Sequence, residues 1–316
     1  MSGFTAANNE HLIRANIWSA DIKEVLEEEL FAQQYVRMIT DFPDGDTINI
    51  PSIGAMESRD YSEDTPVQYT RMDTGNFTFT IDQYKSSATY ITEKMKQDSF
   101  YMNELVSSFV PKQSRALMEA MEAKVLSVGP DGQTSADPNV INGADHRLAA
   151  SGTNQVMTAQ DFAKAKYALR KANVPMTNLV AIVDPSVEYA LSTATNLVNV
   201  SNNPHWEGII RDGMSTGMRF LMNVYGFDVY VSDFLKANTA SETISGTAVA
   251  NGVNNIFFSA AQDVVPFVGN VRQAPKVDSE YNKDMQREEY VTTCRYGFKL
   301  FRPENLVCVV SDSAQV

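Results

Sequence analysis

Few residues of this chain are of types and spacings that do chemistry. The three histidines, His11, His146 and His205, fall in a polar N-terminal stretch and two loop-like stretches, and no two have metal-ligand spacing. Asp41, Asp44 and Asp46 around Gly45 have the look of a calcium loop, but no glutamate stands at the closing offset, so a turn is the better reading. Asp82 and Glu93 flank an extended run as paired carboxylates could, with no histidine or lysine base placed to serve them. Cys294 and Cys308 lie on separate strand-like runs; they form neither a disulfide framework nor a metal motif and are expected as buried thiols in a reducing compartment. There is no Walker A loop, HExxH, GxSxG or GxGxxG. The expectation is a chain with no catalytic, cofactor-binding or metal residue, and not an enzyme.

Composition moves attention from sites to surfaces. The 316 residues are 43% hydrophobic and 21% charged, which predicts a packed core in one large domain or two ordinary ones. The net charge of −13, from 39 acidic and 26 basic residues, argues against a protein whose main task is gripping nucleic acid. Met1–Asn16 has no apolar core of signal-peptide length, and the longest apolar runs, Leu179–Val183 and Leu306–Val310, are too short to span a bilayer. Folding in water, in a cytoplasm, is expected. Trp18, Trp206, Phe257 and Phe258 read as core or interface aromatics, and the fourteen methionines as pliable packing.

The elements follow from periodicity and punctuation. A polar arm, Met1–Asn16, precedes a helix capped by Ser19, with Ile22, Val25, Leu26 and Leu30 on one face and Glu27–Glu29 mostly on the other. After the turn at Pro43–Asp46, Thr47–Pro51 and Phe77–Ile81 alternate as strands, and Tyr84–Thr92 continues extended. Between them Met56–Asp73 is polar, with five acids (Glu57, Asp60, Glu63, Asp64, Asp73) against Arg59 and Arg71. Two arms of about 15–20 residues would reach roughly 50–65 Å at about 3.3 Å per residue. Two strands alone are marginal in water, so such a hairpin is expected to lie on a neighbouring subunit. Asp98–Val128 predicts one long helix or two collinear ones, with a kink or break before Pro111 and a stop at Gly129–Gly132. A loop over Gly129–Asn154 follows. From Val156 helices and strands alternate: a capping box at Thr158–Asp161, a strand at Leu179–Val183, a helix opened by Asp184-Pro185, and strands at Phe227–Val231 and Asn255–Ser259. Lys236–Asn254 reads as a loop, and Val271 onward is β-rich, with strands at Glu288–Leu300 and Leu306–Val310.

This order, with the stretches Thr47–Gly54, Phe79–Lys85, Val183-Asp184-Pro185, Tyr225–Val229 and Tyr296–Val307, resembles the major capsid proteins of tailed bacteriophages, the Hong Kong 97-type fold. The motifs are weak singly and specific as an ordered set, and they cover most of the chain. The resemblance implies an α+β fold: an N-terminal arm and first helix over 1–45, an extended loop over 46–92, a peripheral domain with a spine helix over 93–155, an α/β axial domain over 156–268, and return strands over 269–316 that complete both domains. It implies a structural shell protein assembling as hexamers and pentamers into an icosahedral head around double-stranded DNA, which an acidic subunit can enclose without binding tightly or by sequence. The implied partners are the chain itself, a portal and, where a phage has them, decoration proteins; no membrane is involved. Localisation would be the virion, assembled in the bacterial host cytoplasm. Some relatives weld their shells by isopeptide bonds from an extended-loop lysine. Here no lysine occurs between Lys23 and Lys85, so no such cross-link is expected. The short stretch before the first helix leads to the expectation of a separate scaffolding protein. Other readings are an encapsulin-like nanocompartment shell, marked by cargo enzyme in a fixed small shell, an α/β enzyme marked by a pocket and turnover, or another virion or tail protein.

Overall fold

The computed structural model describes residues 30–40, 45–53, 60, 63, 66, 74–98, 102–132, 139–193 and 220–315. The expected N-terminal arm and first helix, His11, Asp41, Asp44, His205, Trp18 and Trp206, and almost all of the hairpin tip lie outside the described residues. In chain order, β1 (Val36–Met38) leads to a hairpin of β2 (Thr47–Ile53) and β3 (Thr74–Thr80), then β4 (Gln83–Thr92), the short α1 (Glu93–Asp98) and the 31-residue α2 (Met102–Gly132). The paired β5 (Val140–Ile141) and β6 (Ala144–Asp145) precede β7 (Arg147–Ala149), α3 (Ala159–Lys171), β8 (Leu179–Val183) and α4 (Pro185–Thr193). Next come β9 (Phe220–Val224), β10 (Phe227–Val231), a small hairpin of β11 (Glu242–Ile244) and β12 (Thr247–Val249), and β13 (Gly252–Ser259). The long antiparallel β14 (Phe267–Asn282) and β15 (Arg287–Leu300) are followed by the closing β16 (Val307–Asp312).

A six-stranded mixed sheet has the order β7-β16-β13-β8-β10-β9. Its central strand β8 is a continuous apolar run because both faces are covered. Alternate residues go to opposite sides: Leu179, Ala181, Val183, Phe257, Val307 and Val309 pack under α3 and α4, while Val180, Ile182, Ile256, Phe258 and Cys308 pack toward α2. Phe257 and Phe258 are therefore core residues, each fully buried. The capping box forms as expected: Asp161 accepts from the Thr158 backbone N–H at 2.9 Å, and the Thr158 side chain accepts from the third helical N–H. Asp184 accepts from Ser186 N at 3.0 Å at the start of α4, and its own N–H is held by Asn255 Oδ1 at 2.9 Å.

A four-stranded sheet has the order β1-β14-β15-β4. Leu117, Met121, Val125 and Leu126 of α2 pack with Cys294, Tyr296 and Phe298 of β15 and with Ile256 and Phe258 of β13, so one core runs between the two sheets. Further along α2, Phe109 meets Tyr290 edge-to-face at 5.5 Å and Thr292 donates to Gln113 Oε1 at 3.0 Å.

The structure departs from the sequence reading at four places. The helix α2 runs unbroken through Pro111 and on through Gly129-Pro130 to Gly132. A proline removes one backbone bond, and the packed downstream face holds the helix regardless. The helix ends at Gly132, inside the expected stop at Gly129–Gly132, and Gly129 itself is a contact residue: a Cβ there would lie 2.6 Å from Leu306 Cδ2. The stretch Gln83–Thr92 is no hairpin arm; it pairs with β15 from Tyr296↔Gln83 to Arg287↔Thr92. The paired arms of β2 and β3 are seven residues each, Thr47↔Thr80 to Ile53↔Thr74, or roughly 23 Å at about 3.3 Å per residue. Finally, both expected loops contain strands. β7 joins the edge of the six-stranded sheet beside β16, and β11 pairs with β12 inside 236–254.

Candidate functional site: surfaces for assembly

The structure does not bring the chemical candidates together. Asp82 and Glu93 stand at opposite ends of the ten-residue β4, roughly 33 Å apart at about 3.3 Å per residue. His146 is buried, its Nδ1 3.1 Å from the Ala144 carbonyl, and burial lowers its pKa below the usual imidazole value. Both cysteines are free and buried; burial raises the Cys294 thiol and pushes Cys308 up to about 12. The Asp46 carboxylate accepts from Thr47 Oγ1 at 3.1 Å, and its backbone carbonyl accepts from Ile81 N at 2.8 Å. Among the described residues no group of histidine, cysteine and carboxylate side chains could hold a metal ion, and no helix is long and apolar enough to cross a membrane.

One cleft among the described residues holds a buried polar network. A cleft of about 680 Å³ lies between the end of α2, β7 and the segment 236–243. In it Arg147, almost wholly buried, meets Glu242 at 2.6 Å; Glu242 also accepts from Asn238 Nδ2 at 2.7 Å, and Asn238 Oδ1 accepts from Asn254 at 3.0 Å. This is the pattern of a buried ion pair that fixes a loop. Asn305 does similar structural work. Its Oδ1 accepts from Ser259 N at 2.8 Å, and its Nδ2 donates to the carbonyls of Ser259 and Val264 at 2.8 and 2.6 Å.

The surfaces able to act are the projecting ones. The β2–β3 hairpin is rooted by a small core of Phe79, Ile81 and Val268, with Ile48, Phe77 and Phe301 against it. Phe77 packs edge-to-face on Phe301 at 4.9 Å, and Lys299 lies over the Phe77 ring while donating to the Thr78 carbonyl at 2.6 Å. Beyond this root most residues of β2 and β3 are exposed. The far half of β14, from Lys276 to Tyr281, is exposed as well, as are Tyr84 and Tyr90 on the edge strand β4. A two-stranded ribbon fixed at its base and largely exposed is marginal by itself in water.

Residues 76–309, well over half of the chain, match the family described as phage capsid protein. The chain belongs to this family. Solved capsid structures carry the same architecture at low identity. A chain of Mycobacterium phage Che8 is 16% identical with a TM-score of 0.69, covering 97% of this chain and 99% of that one. The capsid of cyanophage P-SCSP1u gives 16% and 0.70 over 93% and 91%, and that of cyanophage Pam1 gives 14% and 0.68 over the full length of both. No curated protein sequence matches. The capsid chain thus has the Hong Kong 97-type α+β fold and a structural role in the phage shell.

Sequence reasoning missed three features of this capsid chain. One is the strand β7 with its buried Arg147, hidden in a Gly/Asn-rich stretch. The second is β11–β12, for which Ser245-Gly246 was the available hairpin signal; both residues have positive φ. The third is Glu122, which carried no sequence signal of its own and is fully buried.

Proposed function

We propose that the capsid chain assembles as hexamers and pentamers into an icosahedral head that encloses double-stranded DNA. A shell role needs no turnover, and the chain acts by its surfaces rather than by catalysis. The observation that carries the reading is the β2–β3 ribbon, anchored on Phe79 and Ile81 with Thr47, Asn49, Pro51, Gly75, Asn76, Thr78 and Thr80 exposed, in a chain of the phage capsid family. A neighbouring subunit supplies the missing cover. In this reading the axial domain is the six-stranded unit, spanning about 156–268 plus the last strand and the edge strand β7 (Arg147–Ala149). The peripheral domain is α2 with β14 and β15, and the extended loop begins at about residue 46. A separate scaffolding protein sets shell size, and a portal occupies one vertex.

The test is negative-stain microscopy with sedimentation on the chain expressed with and without its genomic neighbours. Closed polyhedral particles, or free hexamers and pentamers, are expected, with correct size only when the scaffolding partner is present. A persistent monomer in every condition overturns the assembly reading; uniform shells from the purified chain alone overturn the scaffolding requirement.

A further inference from the structure

The helix α3 buries Asp161, Phe162, Ala165, Ala168 and Leu169 against the six-stranded sheet. The opposite face carries Lys164, Tyr167, Arg170 and Lys171, all exposed, with Lys166 on the flank donating to the Tyr225 carbonyl at 2.6 Å. The helix has one acid, Asp161, and it is 1% exposed and engaged in the cap, accepting from Thr158 N and Ser151 N. Lys164 keeps only a loose 3.6 Å approach to Asp161, and Arg170 and Lys171 form no ion pair among the described residues. In a chain of net charge −13 this is a local cationic strip.

We propose that this strip is a non-specific contact for the phosphate backbone of the packaged DNA. The inference rests on the head-shell reading and adds to it the surface that meets the DNA. Lys164 and Lys171 are seven residues apart, about 10.5 Å along the helix axis. A duplex offers a negative charge for about every 1.7 Å of its length, so three cations over that span meet several phosphates. The helix dipole explains cations in the last turn, Arg170 and Lys171, but not Lys164, which lies a full two turns from the C-terminus. The net charge of −13 opposes the approach of DNA overall, so the contact is weak and salt-sensitive: it keeps the polymer near the wall without fixing it.

The experiment compares the full chain with K164Q/R170Q/K171Q and with a charge-matched control, K94Q/K112Q/K283Q. Anisotropy of a labelled mixed-sequence duplex of about 30 base pairs is followed against salt. The wild type and the control are expected to show a slope of log affinity against log salt of about −2.7, from roughly 0.9 for each of three phosphates, and the α3 variant to lose most of it. Equal binding by the α3 variant overturns the proposal. So does an equal loss in the control, which would make net charge alone responsible, and so does labelling of Lys164 and Lys171 by a bulky amine reagent applied to intact DNA-filled heads. Microscopy of the same preparations separates the two readings: shells that form without the DNA contact overturn only this inference, and absence of shells overturns the function above.

Discussion

Glu122 is the residue whose environment most constrains how the fold responds to conditions. It lies on α2 and is fully buried, and its Oε1 accepts from Phe31 N at 2.9 Å and Ala32 N at 2.7 Å. It thereby fastens the segment entering β1 to the long helix. Burial raises its pKa above the usual carboxylate value, against the opposing pull of those N–H groups and Arg115. The native state then binds this proton more tightly than the unfolded chain, so its contribution to stability falls as pH rises through the window above about 4.3. His146 has the opposite sign. Its depressed native pKa gives stability that is present above about 6.5 and lost as pH falls below it. Thermal unfolding of E122Q and H146Q beside the wild type, at about pH 8 and about pH 5.5, checks both signs. E122Q should lose ground to the wild type as pH falls, and H146Q should gain on it. Parallel shifts at both pH values would show that neither group titrates in the transition. Glu122→Ala removes the acceptor altogether and should cost about 1–3 kcal/mol at either pH.

At the scale of elements, the junction between hairpin and sheet decides the geometry. β3 leaves one hairpin and β4 enters another sheet within two residues, and this crossing passes over Gly297 of β15. A Cβ at Gly297 would lie 2.9 Å from Ile81 Cα and 2.9 Å from the Thr80 carbonyl oxygen, both backbone atoms that cannot swing aside. Gly297→Ala should therefore destabilise by about 1–3 kcal/mol, read as an earlier chemical-denaturation midpoint. Its footprint in hydrogen exchange should centre on Thr80–Asp82. Phe79 is the other control point, with a fully buried ring at the hairpin root. Phe79→Ala should cost about 3–5 kcal/mol, and shells, where they form, should lose the hairpin's protection from protease. A wild-type assembly yield with an unprotected hairpin would detach the ribbon from shell formation.

At the scale of the whole molecule, the shell is expected to be held by non-covalent contacts. The extended segment has no lysine between Lys23 and Lys85, so it has no amine to donate to a neighbour's asparagine. Intact shells boiled in detergent should run as monomers of the 316-residue chain, and a ladder of multimers would refute this. The buried thiols make the same point from another side. Cys294 and Cys308 lie in the core between the two sheets, so reducing agent should leave both the melting temperature and the shells unchanged.

The sequence by itself determined the elements whose signals are local. Leu179–Val183 had to be a doubly covered strand because every residue is apolar. Thr158–Asp161 and Asp184-Pro185 had to open helices because their side chains answer free backbone N–H groups. Their order was enough to point to the capsid fold. Tertiary structure decided what local signals could not carry. Pro111 reads as a break, but the packed face of α2 outweighs one lost hydrogen bond, and Gly129 is small because Leu306 presses on it. Gln83–Thr92 alternates like any strand; only the free edge of β15, some two hundred residues later, assigns it to the sheet instead of the hairpin. Nothing local in the sequence marks Glu122 and Arg147 as buried charges; the groups that bond them, the backbone at 31–32 and Glu242, are brought in by the fold.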